Sequence, residues 1–180
     1  MPLLLPDALR TDRLILRAPR QADAPLFFAA YTQDAAVARH MTWRPHTQLS
    51  QTEAFVAACM RAWDSGLERP YVLALAEHQD IPIGILEARL QGHRVELGYV
   101  LARPYWGAGL MPEAVRAVSA LALAQPDCYR VQATCDVGNL ASARTLEKSG
   151  FVREGRLERY MVHPNLSEEP GACFLYARCS

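Results

Sequence analysis

Arg103-Pro-Tyr-Trp-Gly-Ala-Gly-Leu-Met-Pro-Glu-Ala114 decides how this chain is read. The stretch before it, Arg94-Val-Glu-Leu-Gly-Tyr-Val-Leu101, reads as a strand. The Ala/Val/Leu-rich run after it, Ala114 to Ala124, reads as a helix. A strand that enters a Gly-x-Gly turn and leaves as a helix aims backbone N–H groups, and the positive end of a helix dipole, at one spot. That spot suits a pyrophosphate or another anion, and glycine lets the backbone approach it closely. Gly-x-Gly also occurs in plain strand–turn–helix connections, so this loop needs a second signal. Two other phosphate loops are excluded. The sequence contains no Gly-x-x-x-x-Gly-Lys-Ser/Thr, and the third position after Gly109 is Pro112, so there is no Gly-x-Gly-x-x-Gly.

The second signal is Asn139-Leu-Ala-Ser142 followed by Glu147-Lys-Ser-Gly-Phe-Val152. With the Trp-Gly-x-Gly loop ahead of it, in the same order and at a similar distance, the chain resembles the GCN5-related N-acetyltransferase (GNAT) superfamily and its RimJ/RimL-like branch. The opening Leu9-Arg-Thr-Asp-Arg-Leu-Ile-Leu-Arg17 is similar to that branch's first strand. The combination is specific, although each piece alone is not. The resemblance implies an α/β (α+β) fold, with a mixed central sheet of about six to seven strands flanked by helices. In it a parallel strand pair splays apart to hold an acyl-CoA.

Composition agrees with one domain over 1–180, its core at about 9–178. Of the 180 residues, 51% are hydrophobic and 21% charged, which is ordinary globular composition. The formal net charge is zero, which gives no broad electrostatic footprint for nucleic acid. The five cysteines are scattered without a Cys-x-x-Cys pair, so free thiols in a reducing cytosol are expected, with neither zinc nor a redox pair. The five histidines show no ligand spacing, and no metal is expected. Met1-Pro-Leu-Leu-Leu-Pro6 is too short for a signal peptide, and no apolar run reaches membrane-spanning length, so a soluble cytoplasmic protein without membrane partners is expected.

Along the chain, Arg13 to Arg17 is a strand stopped by Pro19. Asp23 to Tyr31 reads as a helix with Asp23 as N-cap, and Asp34 is placed to cap a short turn over Ala35 to Arg39. Ser50-Gln-Thr-Glu53 has the form of a capping box, opening a helix to Ser65 that Gly66 ends. Tyr71 to Ala76, Ile81 to Leu90 and Arg94 to Leu101 form an antiparallel meander, with His78-Gln-Asp80 as its first turn. Arg130 to Cys135 follows a crossover helix and is expected parallel to the strand before it. Ala141 to Ser149 is a short helix, and Phe151 to Met161 and Cys173 to Arg178 are the final strands.

The resemblance also implies a site. Leu97, Tyr99, Val100 and Leu101 would line the pantetheine arm of acetyl-CoA. The backbone of Trp106, Gly107, Ala108, Gly109 and Leu110 would take the pyrophosphate. Asn139 would hydrogen-bond the arm, and Ser142 would lie near the thioester sulfur. The family loop usually begins with Gln or Arg where this chain has Pro104, with Arg103 beside it. Many relatives carry a tyrosine acid seven residues after the Asn, where this chain has Leu146.

An amine must lose a proton before it attacks, and the departing thiolate needs an acid or a hydrogen bond. Glu96 is the candidate base, on one strand face with Gly98 and Val100; pairing with Arg94 or Arg89 is the structural alternative. Ser142 stands in for the missing tyrosine, as acid or as a hydrogen bond to the thiolate; satisfying backbone groups in a first helical turn is its alternative. Tyr99, Tyr105 and Tyr160 are further acid candidates that packing explains better. Trp43, Arg44 and His46, in the loop His40-Met-Thr-Trp-Arg-Pro-His46, are candidates for the acceptor wall, against a reading in which Trp43 plugs the core edge. The acidic residue that relatives often place before the last strand is missing from Gly171-Ala-Cys-Phe174.

The expected function is therefore acetyl-CoA-dependent N-acetylation of a primary amine, on a protein N-terminus or a small molecule. A homodimer is compatible with the resemblance. The competing expectations are a non-catalytic acyl-CoA-binding sensor and a protein that only mediates association.

Overall fold

The computed structural model describes residues 4–180, so the first three residues of the apolar run Met1–Pro6 lie outside the described residues. One sheet organises the chain. Its strands are β1 (Ala8–Arg10), β2 (Leu14–Arg17), β3 (Glu68–Leu75), β4 (His78–Gln91), β5 (Arg94–Leu101), β6 (Arg130–Asp136), β7 (Val152–Met161) and β8 (Gly171–Cys179). Their spatial order is β1-β2-β3-β4-β5-β6-β8-β7. The helices are α1 (Asp23–Phe27), continued by a π-helical turn over Phe28–Thr32, then α2 (Ala35–Ala38), α3 (Leu49–Ser65), α4 (Leu110–Leu123) and α5 (Leu140–Lys148). The sheet has eight strands, one more than the sequence suggests, because Ala8–Arg10 forms a hairpin partner for β2.

Side-chain alternation gives the sheet two cores. Leu73, Leu86, Val95, Leu97 and Val131 pack with Ala114, Val115 and Val118 of α4. Val72, Ile85 and Val100 point the other way, onto Phe27, Tyr31, Val56 and Cys59 of α1, the π turn and α3. Burial on both faces explains why Tyr71 to Leu75 is a continuous apolar run.

Several local expectations change. Asp23 lies inside α1, where its carboxylate takes the Arg17 guanidinium at 2.6 and 2.9 Å and the Arg20 N–H at 2.8 Å. A buried arginine outcompetes a helix end for that carboxylate. The capping box of α3 lies two residues earlier than Ser50–Glu53, at Gln48 and Gln51, where Gln51 Oε1 accepts from the N–H groups of Thr47 and Gln48 at 2.7 and 3.0 Å. The turn before β4 is Ala76–Glu77, and His78 already pairs with Leu75. Asp34 caps α2 through the Ala36 N–H at 2.9 Å, and Gly66 ends α3 at φ 73°, both as expected.

The parallel pair is short. β5 and β6 pair only at Arg94↔Arg130, Val95↔Val131 and Glu96↔Gln132. Beyond that rung β5 stays paired to β4 as far as Leu101, and β6 stays paired to β8 as far as Asp136. The two strands therefore diverge, and each carries unpaired backbone polar groups into the gap.

Candidate active site

Where β5 leaves β6, a cavity of about 360 Å³ opens between the end of β5, the loop into α4 and the start of α5. Its walls include Tyr99, Val100 and Leu101 from β5, Trp106, Gly107, Gly109 and Leu110 from the loop, and Asn139, Ser142, Arg144 and Lys148 around α5. His40 and Met41, just after α2, close another side.

The loop end is built to receive an anion. Gly107 and Gly109 sit at φ 74° and 76°, the left-handed region that favours glycine. A Cβ on Gly107 would meet nothing within 4 Å, so backbone conformation, rather than crowding, is what requires glycine there. Gly109 is the N-cap of α4 and offers no side chain to the helix's first N–H groups, which stay available. Glu113, in that first turn, would oppose an anion, but its carboxylate is turned back onto the start of β2. It accepts from the Thr11 hydroxyl at 2.6 Å, the Arg13 N–H at 2.9 Å and Arg13 Nε at 2.7 Å. Burial alone raises the Glu113 pKa, and these hydrogen bonds outweigh it and hold the carboxyl below its usual value. Arg13 Nη1 also donates to the Ala108 carbonyl at 2.8 Å and so braces the turn between the two glycines. Arg103 is turned elsewhere, its Nε 2.9 Å from Asp34 Oδ2. Trp106 Nε1 donates to the Leu101 carbonyl at 2.7 Å, which fixes the exit from β5.

Across the gap, Asn139 caps α5: its Oδ1 accepts the Ser142 N–H at 3.1 Å. That uses the acceptor half of the amide and leaves its NH₂ as donor. Ser142 Oγ lies 2.8 Å from Tyr99 Oη, and the phenol is also 3.3 Å from the Ser142 carbonyl. Burial pushes the Tyr99 pKa well up, partly countered by the Ser142 hydrogen bond, so the phenol keeps its proton at neutral pH. Leu146 is fully buried in the core. Cys135 sits near Ser142, and burial pushes its thiol up to about 11.

Of the remaining expected residues Tyr105 lines the cavity, whereas Leu97 is buried in the core and off the cavity wall because strand alternation turns it to the α4 side. Glu96 stands on the last parallel rung, not on the cavity wall. Its carboxylate lies 3.5 Å from Arg89 Nη1 and accepts from Gln132 Nε2 at 3.3 Å. Arg89 also pairs with Glu87. Trp43, Arg44 and His46 do not line the cavity either. The Trp43 ring is 5.5 Å from the His46 ring, His46 Nδ1 is 2.7 Å from the Thr52 hydroxyl, and Arg44 pairs with Glu168. Sequence reasoning missed three partnerships: Tyr99 with Ser142, Arg13 with the loop, and His40 with Asp136, whose Nδ1 and Oδ1 are 3.0 Å apart. No local pattern announces any of them. Among the described residues, no group of three or more His, Cys, Asp or Glu could hold a metal ion, and no helix is long and apolar enough to cross a membrane.

The family described as Acetyltransferase (GNAT) domain matches residues 13–152. An uncharacterized N-acetyltransferase, p20 of Bacillus licheniformis, is 26% identical over 156 residues, 86% of this chain and 87% of that protein. A GNAT-family acetyltransferase from Bacillus anthracis superposes with a TM-score of 0.80 at 25% identity, over 96% of this chain and 98% of that one. RimL, a ribosomal L7/L12 alpha-N-protein acetyltransferase solved with coenzyme A, shares the fold at a TM-score of 0.82 and 20% identity, over 96% of this chain and 97% of that one.

Proposed function

Because the chain belongs to the acetyltransferase (GNAT) domain family, an acyltransferase class of enzymes, we propose that it moves an acetyl group from acetyl-CoA to a primary amine by direct attack on the thioester. The observation that carries this reading is the convergence of three features on one cavity: the unpaired edges of the splayed strands, the free N-terminus of α4 and the Tyr99–Ser142 pair.

The chain's own groups fit an acyl-CoA. The N–H groups of Gly107 to Leu110 would take the pyrophosphate, with the α4 dipole behind them. The open edge of β5 beyond Glu96 would pair with the amides of the pantetheine arm, and the Asn139 NH₂ would reach it from the other side. Bound acetyl-CoA supplies an activated acyl carbon and a thiolate leaving group. Tyr99 and Ser142 hold a proton where that sulfur departs, and the protonated phenol is the better donor of the two. The gap left by Leu146 made a non-catalytic acyl-CoA sensor the competing expectation. Tyr99 supplies a tyrosine from strand β5 instead of from α5 and favours the enzyme.

The RimJ/RimL-like branch is part of this proposal, supported by the Trp-Gly-x-Gly and Asn-x-x-Ser motifs and the shared fold. The acceptor class is a primary amine on a small molecule or a protein N-terminus. Calorimetric titration with acetyl-CoA, with NADH and ATP as controls, tests the reading. Selective binding of acetyl-CoA followed by acetylation in an amine screen supports it. Failure to bind acetyl-CoA overturns it.

A further inference from the structure

Acetyl transfer to an amine needs a group that takes a proton from the acceptor, since a primary amine is mostly protonated near neutral pH. Glu96 faces Arg89 and Gln132 and stays off the cavity wall. His40 is on that wall, in the same cavity as Tyr99 and Ser142.

The imidazole is held from behind. Its Nδ1 lies 3.0 Å from Oδ1 of Asp136, the last residue of β6, on the far arm of the splay. The same oxygen accepts the Gly138 N–H at 2.9 Å, and Oδ2 lies 3.9 Å from Nδ1 of His163 in the β7–β8 loop. The side chains of His40 and Asp136 are only 20% and 12% exposed. Burial lowers the pKa of His163, which favours its neutral form. Asn165 stitches the segment in place, its Nδ2 donating to the carbonyls of Ala38 and Trp43 at 2.7 Å each.

An ionised carboxylate only accepts, so Nδ1 of a neutral His40 carries the hydrogen and Nε2 carries the lone pair. Among the described residues, no hydrogen-bond partner takes Nε2. Asp136 and His163 are the titratable groups facing the ring; Arg144 and Lys148 are the other charged residues on the cavity wall.

We propose that His40 is the general base for the acceptor amine and that Asp136 is its positioning residue; this rests on the acetyl-transfer reading above. The acceptor's –NH₃⁺ gives one proton to His40 Nε2. The freed lone pair forms the C–N bond to the acyl carbon as the C–S bond breaks. The nitrogen loses its second proton to solvent, Tyr99 and Ser142 give one to the sulfur and regain it from solvent, and His40 returns its own to solvent. The sum is amide, thiol and one released proton.

The test joins a ring readout to kinetics on the full chain. NMR of ¹⁵N-histidine-labelled protein, with and without acetyl-CoA, reads the tautomer of His40, and Nδ1–H is expected. Asp136→Asn is expected to move the proton to Nε2. Kinetics use spermidine, an amino-acid amide, kanamycin and a peptide with a free N-terminal serine as acceptors. His40→Gln is expected to lower kcat/KM about 100-fold at neutral pH, to abolish the basic rise of the pH profile that belongs to the imidazole, and to bind acetyl-CoA as the wild type does. An Nε2–H tautomer in the wild type overturns the proposal, and that arm needs no variant to fold. So does His40→Gln turnover equal to wild type, or a larger loss from Glu96→Gln than from His40→Gln. Wild-type protein that binds no acetyl-CoA or acetylates none of the panel overturns the acetyl-transfer reading, and the base with it. An active wild type with an active His40→Gln overturns the base alone.

Discussion

Tyr99 Oη stands 2.8 Å from Ser142 Oγ, so β5 and the first turn of α5 meet through side chains at the point where β5 has parted from β6. Neither strand pairing nor helix packing requires this contact. It places a protonated phenol beside a hydroxyl at the wall of the cavity. Tyr99→Phe and Ser142→Ala are each expected to lower kcat about 100-fold, at the lower end of a general-acid contribution. The double variant is expected to lose little more than either single one, because the two groups act as a unit. Steady-state and single-turnover kinetics check this; two single variants with wild-type kcat would remove the pair from proton delivery.

Gly107 tests the anion loop through its backbone. No atom lies within 4 Å of a Cβ there, so Gly107→Ala introduces no clash. At φ 74° it still costs about 1–2 kcal/mol of left-handed strain. For a chain of this size that lowers Tm by roughly 2–8 °C. Acetyl-CoA affinity is expected to fall as well, because the turn relaxes away from the geometry that aims its N–H groups. Thermal melts and calorimetry read both effects, and unchanged affinity would separate the loop from the ligand.

Glu113 gives a pH signature to stability. Its folded carboxyl titrates below the usual value because the bonds from Thr11 and Arg13 outweigh burial. Its contribution is therefore present above the unfolded carboxyl's pKa, near the usual 4.5 of a glutamate, and is lost as pH falls through the lower folded value. Glu113→Gln is expected to be less stable near neutral pH and to show a flatter loss of stability on acidification. Urea unfolding across the acid range measures this; an identical slope would mean that the carboxylate is not held in solution. Arg13→Ala, which also frees the Ala108 carbonyl, is expected to weaken acetyl-CoA binding.

Arg17 and Asp23 form a buried two-point pair between β2 and α1. Asp23→Ala leaves the guanidinium buried and unpaired, with its Nε already lacking a partner, and is expected to cost about 3–5 kcal/mol. Replacing both with Arg17→Met and Asp23→Leu is expected to cost less than either single change, since no lone charge is left behind. Denaturant midpoints with unchanged slopes decide it; a double variant worse than either single one would contradict this account.

The sequence by itself determined the features whose signals are local. A strand, two glycines and an apolar run are contiguous, so β5, the loop and α4 are legible from Arg94 to Ala124. Asn139 and Ser142 are three residues apart and meet within one helical turn, as an N-cap does. Asp34 and Gly66 act on their immediate neighbours and were legible for the same reason. Asp23 was misread as a cap because its partner comes from another element, β2, held against α1 by packing. The site's chemistry belongs to the tertiary structure. Tyr99 and Ser142 are 43 residues apart, Arg13 and Ala108 are 95, and His40 and Asp136 are 96. Each pair is set by sheet register and by the point at which β5 and β6 part after Glu96, a geometry fixed by the packing of several elements at once. Side-chain type states what a residue can donate or accept; only the closed fold decides what stands opposite it.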